Sequence, residues 1–366
     1  MTTSENRAVS DGVLQSAEPP TRPTDWYLAG VASRRRKRIA RHFPSRRPAS
    51  RAELDATGLT RAARERAYVS SEHGMFVPLE LLRDQVTPSG RPQRRFDAVT
   101  LVRSHGLRRP AHLPTGFGAG AMFGMRYFCD DEPLEFLVPR GTRSPGIGHL
   151  RYRSTRGLDE YRASAVHPDP QVPGLAVAAP GTAFGHMLRA LQDDSPDREM
   201  RWRVPDLTAV HPTLDQGFIR SVQVSDAFHQ ALGAAVTGDP GQLTGVTLDR
   251  AAAVLGATDV GAESPPETLM RLVLADLSPG MRTQIPVWED DGSLLTVVDM
   301  GWEEQRLFLF YDGAHHLQRT QRDHDSRVLT VLQRDRGRVH RVTAGQLATV
   351  DAVMELREAV RQGLAS

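Results

Sequence analysis

Acidic and histidine side chains collect toward the carboxyl end of this sequence, at points where strands are predicted to end. Asp299 closes the second of three predicted strands, and Asp312 closes the third, shortly before His315 and His316. Glu267 lies on the helix predicted ahead of these strands. Carboxylates on adjacent elements can direct their oxygens into one cleft. Such ligands suit Mg²⁺, which takes one or two carboxylates and keeps several waters.

A metal ion in such a cleft can lower the pKa of a bound water and stabilise charge on a scissile phosphate. His316 or His315 can act as the general base or donate a proton to the leaving oxygen. Each residue alone is more often structural, since aspartates are common in turns and single histidines are usually solvated. The whole set therefore predicts a Mg²⁺ (or Mn²⁺) site for phosphodiester hydrolysis, with Glu267, Asp299 and Asp312 as ligands.

The elements that must position these residues follow a recognisable order from Glu263 onward. Pro265 and Pro266, with Glu267 in the first turn, predict the start of a helix. Three extended runs come next, then an Arg-rich helix, a strand and a last helix. The order of helix, three strands, helix, strand and helix predicts an α/β sandwich with a mixed sheet.

A second patterned region precedes this one, at 48–78. Ser50 and Glu53 form a predicted capping box, Gly58 ends that helix, Thr60 caps a second helix, and the extended run GMFVP closes the unit. Helix, turn, helix and strand are typical of a winged helix-turn-helix, which predicts that Arg61 and Arg64 bind DNA. A basic run ahead of it can neutralise phosphates, or it is simply a solvated tail. The run consists of Arg34, Arg35, Arg36, Lys37 and Arg38.

Composition and local pattern suggest four segments in a soluble protein of α/β (α+β) class. We predict a disordered basic tail at 1–45, a winged helix at 46–100, an α/β middle domain at 101–255 and a nuclease-like domain at 256–366. The formal net charge is +2, and a single cysteine, Cys129, excludes an internal disulfide framework. No apolar run has the length of a membrane helix and no secretory signal is evident, which predicts a cytoplasmic protein.

The motifs ESPPETLMRLVL, VVDMGWE and FYDGAHH, followed by Asp325 and Arg327, resemble a widespread actinobacterial domain. That domain is related to the very-short-patch-repair (Vsr) endonucleases of the PD-(D/E)XK superfamily. The resemblance covers about residues 256–345 and implies a restriction-endonuclease-like mixed sheet flanked by helices. It also implies a role for Glu267 as the helix acid, Asp299 as the central metal ligand, Asp312 as the residue after the core strand and His316 as the motif histidine. The supporting residues it implies are Arg271, Asp325 and Arg327.

One position departs from the pattern of that family. Where its members usually have the glutamate of EYDG, this sequence has Phe310. Loss of that carboxylate removes a metal ligand or water-activating group, although Vsr nucleases themselves carry an aromatic or apolar residue there. The superfamily lysine is absent too, but histidine commonly replaces it in this branch.

The N-terminal half, about 45–195, more loosely resembles AbiEi-type antitoxins, which join a winged helix to an α/β domain and repress their own operon. Two main functions remain open on these grounds. The preferred one is a Mg²⁺-dependent DNA endonuclease in defence or repair. The alternative is a non-cleaving DNA-binding regulator of type IV antitoxin kind, with a cognate toxin as partner. The sequence does not indicate an oligomeric state.

Overall fold

The computed structural model describes residues 47–84, 94–143, 148–192, 204–233, 247–289, 291–312, 319–334 and 336–365. Within these residues the chain forms two compact units. The N-terminal unit is made of the described parts of 29–202 and 220–258, and the C-terminal unit of those of 203–219 and 259–366. Both combine helices with small sheets, so the predicted multidomain α+β class is confirmed. No helix within these ranges is long and apolar enough to cross a membrane.

The N-terminal unit begins with the predicted winged-helix order. The three strands of this segment, β1 (Ala49–Ser50), β2 (Tyr68–Glu72) and β3 (Met75–Pro78), form one antiparallel sheet in the order β1-β3-β2. The Ser50 hydroxyl accepts the Glu53 amide at 3.2 Å, and the Glu53 carboxylate accepts the Ser50 amide at 2.6 Å, so the predicted capping box is present. Thr60 caps the second helix through the Ala63 amide. The two helices are α1 Arg51–Ala56 and α2 Arg61–Ala67.

The rest of this unit packs six helices with a second small sheet. Its strands are β4 Leu113–Thr115, β5 Leu134–Pro139 and β6 Leu150–Thr155, in the order β4-β5-β6. Its helices are α3 Ala98–Arg108, α4 Gly116–Met122, α5 Leu158–Ala163, α6 Pro180–Gln192, α7 Gln216–Leu232 and α8 Leu248–Ala257. The division between the units falls within α7.

Buried contacts explain local features of this second sheet. Leu113, Leu137, Leu158 and Ala178 form an apolar cluster beside it. A Cβ on Gly118 would lie 3.0 Å from the Glu135 carbonyl oxygen, so glycine allows α4 to approach β5 closely. Gly118 therefore serves the packing of α4 against β5.

The C-terminal unit has the predicted order of helix, three strands, helix, strand and helix. The strands are β7 Arg282–Trp288, β8 Leu294–Trp302, β9 Leu307–Asp312 and β10 Arg338–Thr343. They form a mixed sheet in the order β10-β9-β8-β7, and only the β9–β10 pair is parallel. The helices are α9 Pro265–Leu274, α10 Arg319–Arg334 and α11 Val350–Ala365.

Helices pack on both faces of this sheet. Val328 and Leu332 of α10 join Phe308 and other strand residues in one buried apolar cluster. On the opposite face Gly363 of α11 lies close to Leu307, since a Cβ there would be 3.2 Å from the leucine methyls. The predicted mixed sheet flanked by helices is therefore confirmed.

One strand boundary differs from the sequence prediction. Asp299 does not end β8, because the strand continues to Trp302 and pairs there with Leu307. Trp302 is fully buried and its indole N–H donates to the Ser278 carbonyl at 3.0 Å, which fixes the end of the strand. Since β8 and β9 are antiparallel, their ends lie at opposite edges of the sheet. A position inside β8, next to the Met300–Leu309 pair, is what brings Asp299 level with the end of β9.

Candidate functional site

Glu267 occupies a buried position at the start of α9. Ser264 precedes the helix, so Glu267 lies in its first turn, and only 9% of the residue is exposed. One carboxylate oxygen accepts the Glu263 amide at 2.9 Å, and the other accepts the Ser264 hydroxyl at 2.6 Å. These bonds fold the side chain back over the positive end of the helix and fix its position.

Asp299 is held from the neighbouring strand. Its Oδ2 accepts the backbone amide of Tyr311 in β9 at 2.7 Å. The residue pairs between β8 and β9 end at Met300–Leu309, and this side-chain bond continues the contact between the two strands beyond that pair. The pairing of 300–302 with β9 thus holds the Asp299 carboxylate beside that strand.

The two carboxylates are electrostatic neighbours. Burial, together with the Asp299 charge, raises the pKa of Glu267 to about 8, although the bonds from Ser264 and Glu263 oppose the shift. Burial also raises the pKa of Asp299 to about 7, opposed by the Tyr311 amide and supported by the Glu263 charge. Near neutral pH the pair therefore does not hold two full negative charges without a compensating cation.

Tyr311 is a site residue that the sequence analysis missed. Its backbone positions Asp299, and burial, followed by the charges of Glu267 and Asp312, raises the pKa of its phenol. The hydroxyl therefore keeps its proton at neutral pH and can donate a hydrogen bond. The sequence signal for Tyr311 is its position between Phe310 and Asp312 in the FYDG motif.

Gln284 is a second residue that the sequence did not single out. It lies in β7 opposite Asp299, between the Thr283–Met300 and Ile285–Val298 pairs. It is buried and has a φ of 53°, in the left-handed region that glycine favours. Strained backbone of this kind tends to occur at functional sites.

Asp312 lies at the end of β9, as predicted, but outside the Glu267–Asp299 pair. It is half-exposed, and its carboxylate lies 3.7 Å from the guanidinium of Arg341 in β10. Among the described residues, no three His, Cys, Asp or Glu side chains are grouped so that they can hold a metal ion together. The structure thus brings together two of the three predicted carboxylate ligands.

The remaining predicted residues of this region are more scattered. Arg271 is buried one turn after Glu267 on α9. Arg327 is mostly exposed on α10 and pairs with Glu289 at 2.9 Å. Asp325 lies on α10, but its side chain is outside the described residues, and so are His315 and His316 entirely.

Phe310 packs against apolar side chains. It contacts the apolar cluster that contains Phe308, Val328 and Leu332. The position that carries a glutamate in the resembling domain is therefore part of the packing between β9 and α10.

The predicted DNA-binding arginines of the winged helix differ in their surroundings. The Arg61 side chain is 83% exposed on α2, with Glu65 one turn away at 2.7 Å. Arg64 is mostly buried and pairs with Asp55 of α1, so it joins the two helices. The basic run Arg34, Arg35, Arg36, Lys37 and Arg38 lies outside the described residues.

Comparisons with known proteins add little. No family model and no curated protein matches the chain. One similar solved structure is described as the crystal structure of RV2827C protein from Mycobacterium tuberculosis, with 15% identity and a TM-score of 0.31. That match covers 72% of this chain and 85% of the other. At this level the likeness supports no statement about fold or function.

Proposed function

We propose that the protein acts on DNA and that its C-terminal unit is a Mg²⁺-dependent endonuclease in a defence or repair system. The observation that carries this proposal is the buried Glu267–Asp299 pair. Two carboxylates that raise each other's cost of ionisation destabilise the fold, and amides would fill the same space without charge. The pair is therefore best explained by a cation that it binds.

The donor set fits Mg²⁺. This ion needs one or two carboxylates and fills its other positions with water or phosphate oxygens, so Glu267 and Asp299 suffice. When bound, Mg²⁺ supplies Lewis acidity toward a phosphodiester oxygen. Asp299 is oriented for this by the Tyr311 amide, and Glu267 by Ser264 and Glu263. The Tyr311 hydroxyl, which stays protonated, can donate to a phosphate oxygen beside them.

The test is a nicking and cleavage assay on supercoiled and mismatched DNA with Mg²⁺ or Mn²⁺. We expect metal-dependent cleavage by the wild type and a loss of at least about a hundredfold in Asp299→Asn, because several kcal/mol of transition-state stabilisation depend on the metal. The matched control is Asp351→Asn, the same change at an exposed residue in the first turn of α11. Equal cleavage by the Asp299 and Asp351 variants would refute the assignment of the site.

A specific observation also favours a second candidate, a non-cleaving DNA-binding regulator with a cognate toxin as partner. Phe310 belongs to the apolar packing of β9, while the winged helix presents α2 with no buried residue and Arg61 largely exposed. A regulator of this kind binds DNA in EDTA as tightly as in Mg²⁺. Such binding, with no cleavage in either metal, would select this function over the nuclease.

A further inference from the structure

A cavity of about 570 Å³ lies within the N-terminal unit, between the end of α3, the start of β4 and the chain that joins α5 to α6. Its volume is within the range of small-molecule binding sites. The carboxylate pair of the C-terminal unit takes no part in it. The cavity is therefore a second candidate site that the proposed nuclease chemistry does not use.

The lining of this cavity combines apolar walls with basic groups. Leu113, Val172 and Leu175 are buried and form part of the walls. Its cationic and polar members are Arg47, His112, Arg162, His167 and Gln171, and none of the described residues that line it is acidic. This composition suits an anionic group attached to an apolar body.

The polar groups at the cavity are held by neighbours that leave hydrogen-bonding capacity. Arg162 donates one guanidinium N–H to the Pro110 carbonyl at 2.7 Å, which ties it to the rim, and a guanidinium has five such donors. His112 Nδ1 bonds His105 Nε2 at 2.9 Å, and this contact does not use His112 Nε2. Burial lowers the pKa of His112 to about 4, so the arginines rather than this histidine provide the positive charge.

Two lining residues connect to the winged helix, Arg47 by one side-chain contact and His112 by two. Arg47 pairs with Glu53, the carboxylate of the α1 capping box. His112 bonds His105, whose other ring nitrogen lies 3.1 Å from Glu72 at the end of β2. A molecule that draws Arg47 toward itself therefore changes a contact of α1. One that draws His112 toward itself changes the contacts that lead to the β2–β3 hairpin.

We propose that this cavity binds a small organic anion with an apolar or aromatic body, and that its occupancy alters DNA binding by the winged helix. The first half stands on the cavity alone. The second half rests on the proposed DNA-binding function. Anion binding in the cavity and DNA binding by the winged helix would then be coupled through the contacts of Arg47 and His112.

The binding half is tested with two probes that share an aromatic body. One is 8-anilinonaphthalene-1-sulfonate, and the other is the uncharged N-phenyl-1-naphthylamine. Because the arginines recognise the charge, we expect the full chain to bind the sulfonate at one saturable site, at least about tenfold more tightly than the uncharged probe. Arg162→Gln and Arg47→Gln should each weaken sulfonate binding by about fivefold or more, whereas Arg140→Gln, at an exposed arginine after β5, should leave it unchanged. Equal affinity for both probes, or no difference among these variants, overturns the site.

The effector half is tested by gel-shift measurements of DNA affinity with and without saturating sulfonate probe. We expect a change of about threefold or more in the wild type at saturation, and Arg162→Gln should need at least about fivefold more probe to reach half of its change. Sulfonate binding without a change in DNA affinity overturns the effector role and leaves the anion site standing. A chain that does not bind DNA at all refutes the proposed function and the effector role together, and the probe measurements still decide the anion site.

Discussion

Burying Glu267 beside Asp299 lowers the stability of the fold. An ionised carboxylate loses hydration on burial, and a nearby like charge adds to that cost. The bonds from Ser264, Glu263 and Tyr311 offset only part of it, since the pKa values remain raised. A site that is unfavourable alone and favourable with a cation is a typical feature of metal centres.

The types of these residues could be predicted from the sequence, but their arrangement could not. The motif spacing indicated Glu267 and Asp299 as site residues, and the structure makes them neighbours. The sequence could not indicate that the Tyr311 amide holds Asp299, or that Gln284 adopts a positive φ opposite Asp299. Those facts depend on the register between strands, which local sequence does not encode.

His186 offers a test of burial at a single residue. It is 3% exposed on α6, and its ring bonds the Thr115 hydroxyl at 2.8 Å. Burial, followed by the charges of Arg153 and Arg189, lowers its pKa from 6.5 to about 3. The folded state thus keeps this ring neutral while the unfolded chain takes up a proton below pH 6.5. Its stabilisation is present above pH 6.5 and is lost as the pH falls toward 3.

We therefore expect the free energy of unfolding to fall by about 1.4 kcal/mol per pH unit below 6.5 through this residue. His186→Gln should remove that part of the slope, and His73→Gln, at an exposed hairpin residue, should not. Urea unfolding followed by circular dichroism at pH 7.5, 6 and 5 measures the three slopes. Identical slopes in both variants and the wild type would contradict a buried neutral His186.

At the scale of elements, local signals were reliable where a helix begins and poor where a strand ends. The caps at Ser50 and Thr60 involve residues three apart, so the sequence alone contains them. The end of β8 at Trp302 depends on an indole bond to the Ser278 carbonyl. This boundary is set by tertiary packing, which the local pattern does not show.

A substitution in β9 tests whether a carboxylate at Phe310, the altered motif position, can take part in cleavage. Phe310 packs with Phe308, Val328 and Leu332. Phe310→Glu would place a carboxylate in this apolar cluster, so we expect a loss of about 2–4 kcal/mol in stability. Phe310→Leu keeps the cluster apolar and should cost about 1 kcal/mol.

Both variants are compared by urea unfolding and by the plasmid-cleavage assay. If the packing is as described, Phe310→Glu is the less stable protein and gains no cleavage over the wild type. An increase in metal-dependent cleavage with little loss of stability would mean that a side chain at this position reaches the carboxylate pair.

At the scale of the whole molecule, the positions of the basic side chains say more about DNA binding than the net charge does. The net charge of +2 gives no reason to expect DNA binding. The basic side chains are nevertheless concentrated in the run 34–38 and on the winged helix, where Arg61 and Arg66 are exposed. Sequence composition revealed this run, whereas only the structure separates exposed Arg61 from Arg64, which is used to join two helices.

The salt dependence of DNA binding tests how much of this charge contacts phosphate. Each neutralised phosphate contributes about −0.9 to the slope of log affinity against log salt concentration. Replacing Arg34, Arg35, Arg36, Lys37 and Arg38 by glutamine should therefore reduce the magnitude of the slope by up to about 4.5. Arg61→Gln should reduce it by about 1, and Arg140→Gln should leave it unchanged. Fluorescence anisotropy between 50 and about 200 mM salt measures these slopes. An unchanged slope after all five residues are replaced would mean that the run is a solvated tail. DNA affinity would then depend on the winged helix, and Arg61→Gln would reduce the slope more than the replacement of the run does.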